Sequence, residues 1–138
     1  MERRRLVVLA VTLATAACVA SGTDASKLAG RWAPESAELG GAPFPVSNFG
    51  GATLSLTKEG YEFAGDQGAI SYLPRTEPAQ MDIVGHAGPN AGKTIRAIYR
   101  LDGDHLTICY QLGQGVRPTE FRTAAGTQLL LIRYRRVS

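Results

Sequence analysis

The residues best suited to chemistry in this chain lie between Ala87 and Phe121. Ala87 to Thr94 reads AGPNAGKT, one residue away from the phosphate-binding pattern G-x-x-x-x-G-K-[ST], with Ala87 where the first glycine belongs. That pattern works because a helix follows Lys-Thr and its terminal N–H groups cradle phosphate. Here Thr94-Ile95-Arg96-Ala97-Ile98-Tyr99 follows, which alternates like a strand. A tight, glycine-rich strand connection is expected, and nucleotide binding is not.

The other reactive types are scattered. His86 and His105 stand 19 residues apart with no second ligand at zinc spacing, so strand-edge histidines are the expectation and no metal is implied. Asp102 and Asp104 flank Gly103, but the fuller acidic loop that calcium needs is missing, and turn chemistry accounts for both. Glu120 with either histidine could do acid/base work in principle. Pairing of Arg117 and Glu120 with each other or with neighbours is the simpler expectation. No G-x-S-x-G or Cys–His arrangement is recognisable. No catalytic residue, cofactor or metal site is therefore assigned, and a hydrolase ranks third among the readings.

The two cysteines divide by position. Cys18 ends an N-terminal segment in which Arg3 to Arg5 form a positive start and Leu6 to Ala17 an apolar run. That run of 12 is too short to span a bilayer as a helix, which takes roughly 20 residues. Residues 1–17 thus read as an export signal. Thr15-Ala16-Ala17-Cys18 resembles a lipobox, with Thr15 where Leu is commonest. Lipidation of Cys18 and plain secretion after cleavage at the small residues are both open. The expected location is the periplasm or cell envelope through a lipid anchor, or else the medium. Cys109 lies in a strand and is expected to be a small, half-buried apolar residue. Residues 18–27 are a polar spacer, and the folded domain is expected over 28–136.

The elements that position these residues are strands. Ile95, Ala97, Tyr99 and Leu101 share one face of the first arm of a hairpin; Leu106, Ile108 and Tyr110 share one face of the second. His105, Thr107 and Cys109 lie on the other face. With Asp102-Gly103 as a two-residue loop, Leu101 pairs with Asp104, Tyr99 with Leu106, Ala97 with Ile108, and Ile95 with Tyr110. Further strands are expected from Gly30 to about Leu39, at Ala52–Thr57, Tyr61–Phe63, Ala69–Leu73 and Met81–Val84, and from about Thr127 to Arg135. Gly40-Gly41 and Gly65 to Gly68 are read as turns. A short helix near Val46-Ser47-Asn48 is allowed but not demanded. No stretch outside the leader keeps helical periodicity for a dozen residues, and no internal repeat is visible.

Composition sets the remaining bounds. The 138 residues suit one domain, and 16 Gly with 7 Pro favour turns over long helices. The formal charge of +3 falls to +1 without residues 1–17, leaving 12 basic and 11 acidic side chains. No basic stripe with interleaved aromatics remains, so nucleic acid is not an expected partner. The class is all-β: a single antiparallel barrel of about eight strands after an N-terminal signal segment.

The run GPNAGKT at Gly88–Thr94, IYRLDGDHLTICY at Ile98–Tyr110 and RPTEF at Arg117–Phe121 resembles a family of small exported domains. They are best known from planctomycete bacteria and are described as lipocalin-like. LAGRW at Leu28–Trp32 and LLLIR at Leu129–Arg133 sit where that family has its first and last strands. The likeness covers about residues 28–136; from Pro43 to Gln80 it is one of pattern alone. It implies a lipocalin-like barrel and export, and it lends no catalytic residue. Lipocalins carry G-x-W on the first strand, with the Trp closing one barrel end under an Arg of the last strand. By this resemblance Gly30 and Trp32, with Arg133 or Arg135, form a structural latch.

Two functional readings follow. In the first, the barrel binds a small, partly apolar ligand in a cavity lined by Ile95, Tyr99, Ile108 and Tyr110. In the second, the barrel is filled by its own side chains, and exposed loops such as Gly85–Lys93 and Gln111–Pro118 engage a protein partner. In both, the membrane is met only through a lipid anchor. An apolar cavity on the order of 300 Å3 or more separates the first from the second.

Overall fold

The computed structural model describes residues 26–138; the leader, Cys18 and the linker up to residue 25 lie outside the described residues. A helical turn at 26–28 leads into strand β1 (Gly30–Leu39). There follow β2 (Ala42–Pro43), a 3-10 helix (Val46–Phe49), β3 (Leu54–Leu56), β4 (Gly60–Phe63) and β5 (Asp66–Leu73). The chain is completed by β6 (Ala79–Ala87), β7 (Thr94–Asp102), β8 (His105–Gln111) and β9 (Leu129–Arg136). All pairings are antiparallel in the order β2-β1-β3-β4-β5-β6-β7-β8-β9, and β9 pairs back onto β1. Eight strands therefore close a barrel, as the sequence leads one to expect, and β2 is an extra arm on β1. Closure removes the exposed strand edges that an open sheet would leave. Pro34 is accommodated in β1 because a register shift between Pro34 and Ser36 frees the ladder there.

Alternation fills the barrel. Leu54, Leu56, Met81, Ile83, Ala97, Leu106, Ile108 and Ile132 are buried in one cluster with Trp32 and Tyr134. The outward face of β7 and β8 is covered as well. Ile98, Cys109 and Leu131 form a second cluster, packed under Phe121 and Leu129. Phe121 belongs to the long β8–β9 connection, which crosses the outside of the barrel as a strap. Arg117 fixes it by donating from Nη1 to the carbonyls of Met81 (3.1 Å) and Ala97 (3.0 Å) and from Nη2 to Asp82 Oδ1 (2.6 Å). Thr123 ties its other end to β1, donating to Glu38 at 2.9 Å and accepting from Gly41 N–H at 2.7 Å. Cys109 is therefore fully buried, not half-buried, and burial pushes its thiol up to about 11.

The central hairpin departs from the expected register by two residues. The ladder runs Ala97↔Tyr110, Tyr99↔Ile108 and Leu101↔Leu106 and closes at Asp102↔His105, so the loop is Gly103-Asp104. Gly103 takes φ +63° at the first loop position, where a type II′ turn wants glycine. Leu101 gains Leu106 as its partner in place of Asp104. A two-residue shift preserves every face, so the core set is unchanged. The Gly65–Gly68 turn is also relocated. Asp66 to Gly68 lie in β5, and the turn is Ala64-Gly65, both at positive φ, as a type I′ turn requires.

Candidate functional site: the barrel cavity and its two ends

The two barrel ends are built differently. At one end the helical turn before β1 brings Leu28 under the barrel, fully buried, and its carbonyl accepts from Trp32 Nε1 at 3.0 Å. Trp32 pairs with Arg136 across the β1–β9 ladder, and the Arg136 guanidinium lies 4.3 Å from the centre of the indole ring. The same guanidinium donates to the carbonyls of Ala29 (3.0 Å) and Lys27 (2.5 Å), with Nε 3.5 Å from Asp104. The arginine on Trp32 is thus Arg136, and neither Arg133 nor Arg135 takes that place. Inward positions on β9 are Leu130, Ile132, Tyr134 and Arg136. Arg133 is exposed, and Arg135 pairs with Glu35 at 3.0 Å. Gly30, at φ +138°, is needed because the Ser138 carbonyl and the Arg136 guanidinium approach where its side chain would be.

The other end is open. A cavity of about 360 Å3 enters the barrel there, lined among others by Leu54, Ile70, Ile83, Ile95, Ile108 and Ile132. Three of the four residues assigned to a cavity from the sequence do line it: Ile95, Ile108 and Tyr110. Tyr99 does not. It points into the barrel nearer the closed end, edge-on to Tyr72 at 6.0 Å, and borders a separate groove with Ala79, Leu101 and Arg136.

Polar groups are few and mostly satisfied. The hydroxyls of Tyr110 and Tyr134 are 2.6 Å apart, and burial pushes both phenols up. Asp66, 8% exposed, accepts from Tyr61 at 3.0 Å, from Asn90 Nδ2 at 2.7 Å and from Asn90 N–H at 3.1 Å. Burial, then the bond to Asp66, pushes Tyr61 up to about 12. These phenols stay neutral at ordinary pH, so the cavity presents hydroxyls in a mainly apolar wall.

Asn90 reaches Asp66 because the β6–β7 loop folds inward over the mouth. The AGPNAGKT stretch is that loop. A side chain at Gly85 would collide with the Asn90 carbonyl, and one at Gly88 with the Gly65 carbonyl. Gly85 and Gly88 thus let this loop pack on its neighbours, whereas Gly92, the glycine that imitates the phosphate pattern, has open space around it and takes φ +82°; strand β7 follows the loop. Across the mouth, Phe49 of the 3-10 helix stacks against Phe44 and Phe63, each at 5.4 Å between ring centres. Lys93 and Leu112 complete the rim.

The remaining candidates are kept apart. His105 Nε2 stands 3.6 Å from Glu35, Glu120 pairs with Arg122 at 3.0 Å, and Arg117 is committed to Asp82. Among the described residues, no three His, Cys, Asp or Glu side chains gather as a metal set, and no helix is long and apolar enough to cross a membrane. Sequence reasoning missed Asp66, Asn90, Lys93, Phe49 and Tyr134. Asp66 reads as turn chemistry, and the uniformly apolar Leu129–Ile132 hides which way Tyr134 points. Comparison with family models, curated proteins and solved structures finds no match.

Proposed function

We propose that this protein is an exported, lipid-anchored, lipocalin-like binding module that carries a small, partly apolar ligand in its barrel. The observation that carries the reading is the apolar cavity of about 360 Å3, open at one end and shut at the other by Leu28, Trp32 and Arg136. Ligand cavities of this kind run from about 300 Å3, mainly apolar with a few placed polar groups. At interior packing density it holds about a dozen non-hydrogen atoms. The chemistry favours binding: the cavity presents protonated phenols as hydrogen-bonding groups, and Asp66 is occupied by the mouth loop.

The export half rests on the leader and on Cys18. The described chain begins at the shut end, where Leu28 is buried beside Trp32. Cys18→Ala is expected to move the protein out of the membrane fraction; an unlipidated parent N-terminus would contradict the anchor.

Native mass spectrometry of protein purified from its own source tests the binding half. A non-covalent small molecule that is retained in the parent and lost in Ile95→Trp, which fills the mouth, is the expected result. A bare polypeptide mass together with no affinity for a ten-carbon alcohol would overturn it.

A further inference from the structure

A second concavity adjoins the cavity at its rim. The β7–β8 ladder ends at Arg96↔Gln111. Beyond it, Lys93–Ile95 and Leu112–Gly115 have no pairing with each other, and the barrel wall is notched. A trench of about 590 Å3 lies along the notch, lined by Lys93, Arg96, Gln111, Gln114 and Gln128 with backbone of the glycines between them. It shares Lys93, Ile95 and Leu112 with the apolar cavity, so the two compartments adjoin at the rim. Their characters are opposite. The cavity wall is mainly aliphatic and aromatic, with Asp66 and Asn90 at the mouth; the trench holds two cations, three glutamines and, among the described residues, no carboxylate. Arg117, Arg122, Arg135 and Arg136 are each paired with a carboxylate, and Asp82, which lies opposite Arg96 in the β6–β7 ladder, is held by Arg117. Lys93 and Arg96 have no such partner among the described residues. Gln111 shapes the trench by accepting from Gly113 N–H (2.9 Å) and donating to the Val116 carbonyl (3.0 Å).

Resting on the binding reading above, we infer that the ligand is an amphiphile with an anionic head group. Its apolar part occupies the barrel, and its head, a carboxylate or phosphate, leaves through the notch to lie between Lys93 and Arg96 with glutamine amides as donors. The net positive charge of the trench lining selects the sign of the head, and the cavity volume limits the apolar part to about ten carbons at interior packing density.

The test is calorimetric titration of the full chain at low salt with four ten-carbon probes: 1-decanol, decanoate, decyl phosphate and decyltrimethylammonium. At least one anion is expected to bind about fivefold or more tighter than decanol, as one or two partly exposed charge pairs would give. The cation is expected to bind more weakly than decanol. The anion's advantage should shrink in 0.5 M salt, where exposed charges are screened. Lys93→Gln with Arg96→Gln should bring the anion-to-alcohol ratio to about one. The better of the two anions identifies the source as a carboxylate or a phosphate. Equal affinity for anion and alcohol, or tightest binding of the cation, overturns the inference and leaves barrel binding standing. Failure of all four probes to bind overturns both. Should the double variant not fold, the probe ranking and its salt dependence in the parent still decide.

Discussion

Arg136 sits with its guanidinium 4.3 Å from the centre of the Trp32 ring, directly opposite it in the β1–β9 ladder. One side chain thereby covers the indole, ties the chain before β1 to the last strand, and closes the barrel at the end where the described chain begins. An Arg on an indole contributes about 0.5–2 kcal/mol, and its planar fork can serve carbonyls at the same time. A double-mutant cycle of Trp32→Phe with Arg136→Lys is expected to show coupling above about 0.5 kcal/mol. Trp32→Phe with Arg133→Lys should be additive, because Arg133 is on the outer surface. The reverse pattern would contradict the latch.

The strap over the outside of β7 and β8 should protect the thiol beneath it. In a Cys18→Ser background, Cys109 is fully buried and its thiol is pushed up to about 11, so native protein should resist a thiol reagent at neutral pH. Phe121→Ala removes the ring packed on that cluster. It is expected to destabilise the fold by about 2–4 kcal/mol and to speed labelling of Cys109. Rapid labelling of the parent would show that the strap does not cover the strands.

How much of this was legible in the sequence varied with the physics. Period-2 alternation gave the strands, their faces and the closed antiparallel class, because half-buried strands write that pattern directly. It could not give register, because a shift of two residues leaves every face intact; Leu101 meeting Leu106 follows from Gly103 taking the turn's positive φ. Parity on β9 was hidden by the apolar run Leu129–Ile132, so Arg136 was missed in favour of Arg133 or Arg135. Cavity residues on the hairpin were readable, whereas Asp66, Asn90 and Lys93 were not. They meet only when the β6–β7 loop folds over the β4–β5 turn, a contact between residues 24 positions apart. The outer cluster was likewise invisible, since nothing local says that Phe121 returns to Ile98 and Cys109.

That loop gives a prediction of its own. Asp66 gathers three donors, so Asp66→Ala leaves Asn90 and Tyr61 without their acceptor, at a cost of about 1–3 kcal/mol. Gly85→Ala should act by a separate route, because the new methyl group meets the Asn90 carbonyl. Both variants are expected to loosen the loop and raise amide hydrogen exchange at Asn90–Lys93. Unchanged exchange in both would mean that the loop is held elsewhere.

The buried phenols of Tyr61 and Tyr134 and the half-buried ones of Tyr72 and Tyr110 predict an alkaline limit to stability. Tyr61 rises from 10.0 to about 12 on folding, and Tyr72, Tyr110 and Tyr134 rise as well, burial being the largest cause in each case. The folded state therefore holds these protons more tightly than the unfolded chain. Their contribution is complete below about pH 10, the unfolded value, and is lost as pH rises towards the folded values, at up to about 1.4 kcal/mol per unit for each phenol. Urea unfolding should give flat stability from pH 7 to 9 as far as the tyrosines are concerned, and a steep fall above pH 10. Tyrosinate absorbance should appear together with unfolding; ordinary titration of these four tyrosines near pH 10 in a still-folded protein would refute their burial.

The most direct test of ligand binding uses the six isoleucines. Ile70, Ile83, Ile95, Ile108 and Ile132 line the cavity, while Ile98 lies under the strap on the outside of the barrel. Carbon-13 methyl spectra of isoleucine-labelled protein, recorded during titration with 1-decanol, therefore carry an internal control. Saturable shifts at the five cavity methyls, with Ile98 unmoved, are the expected result. No saturable shift at the five, or an equal shift at Ile98, would contradict a ligand site inside the barrel.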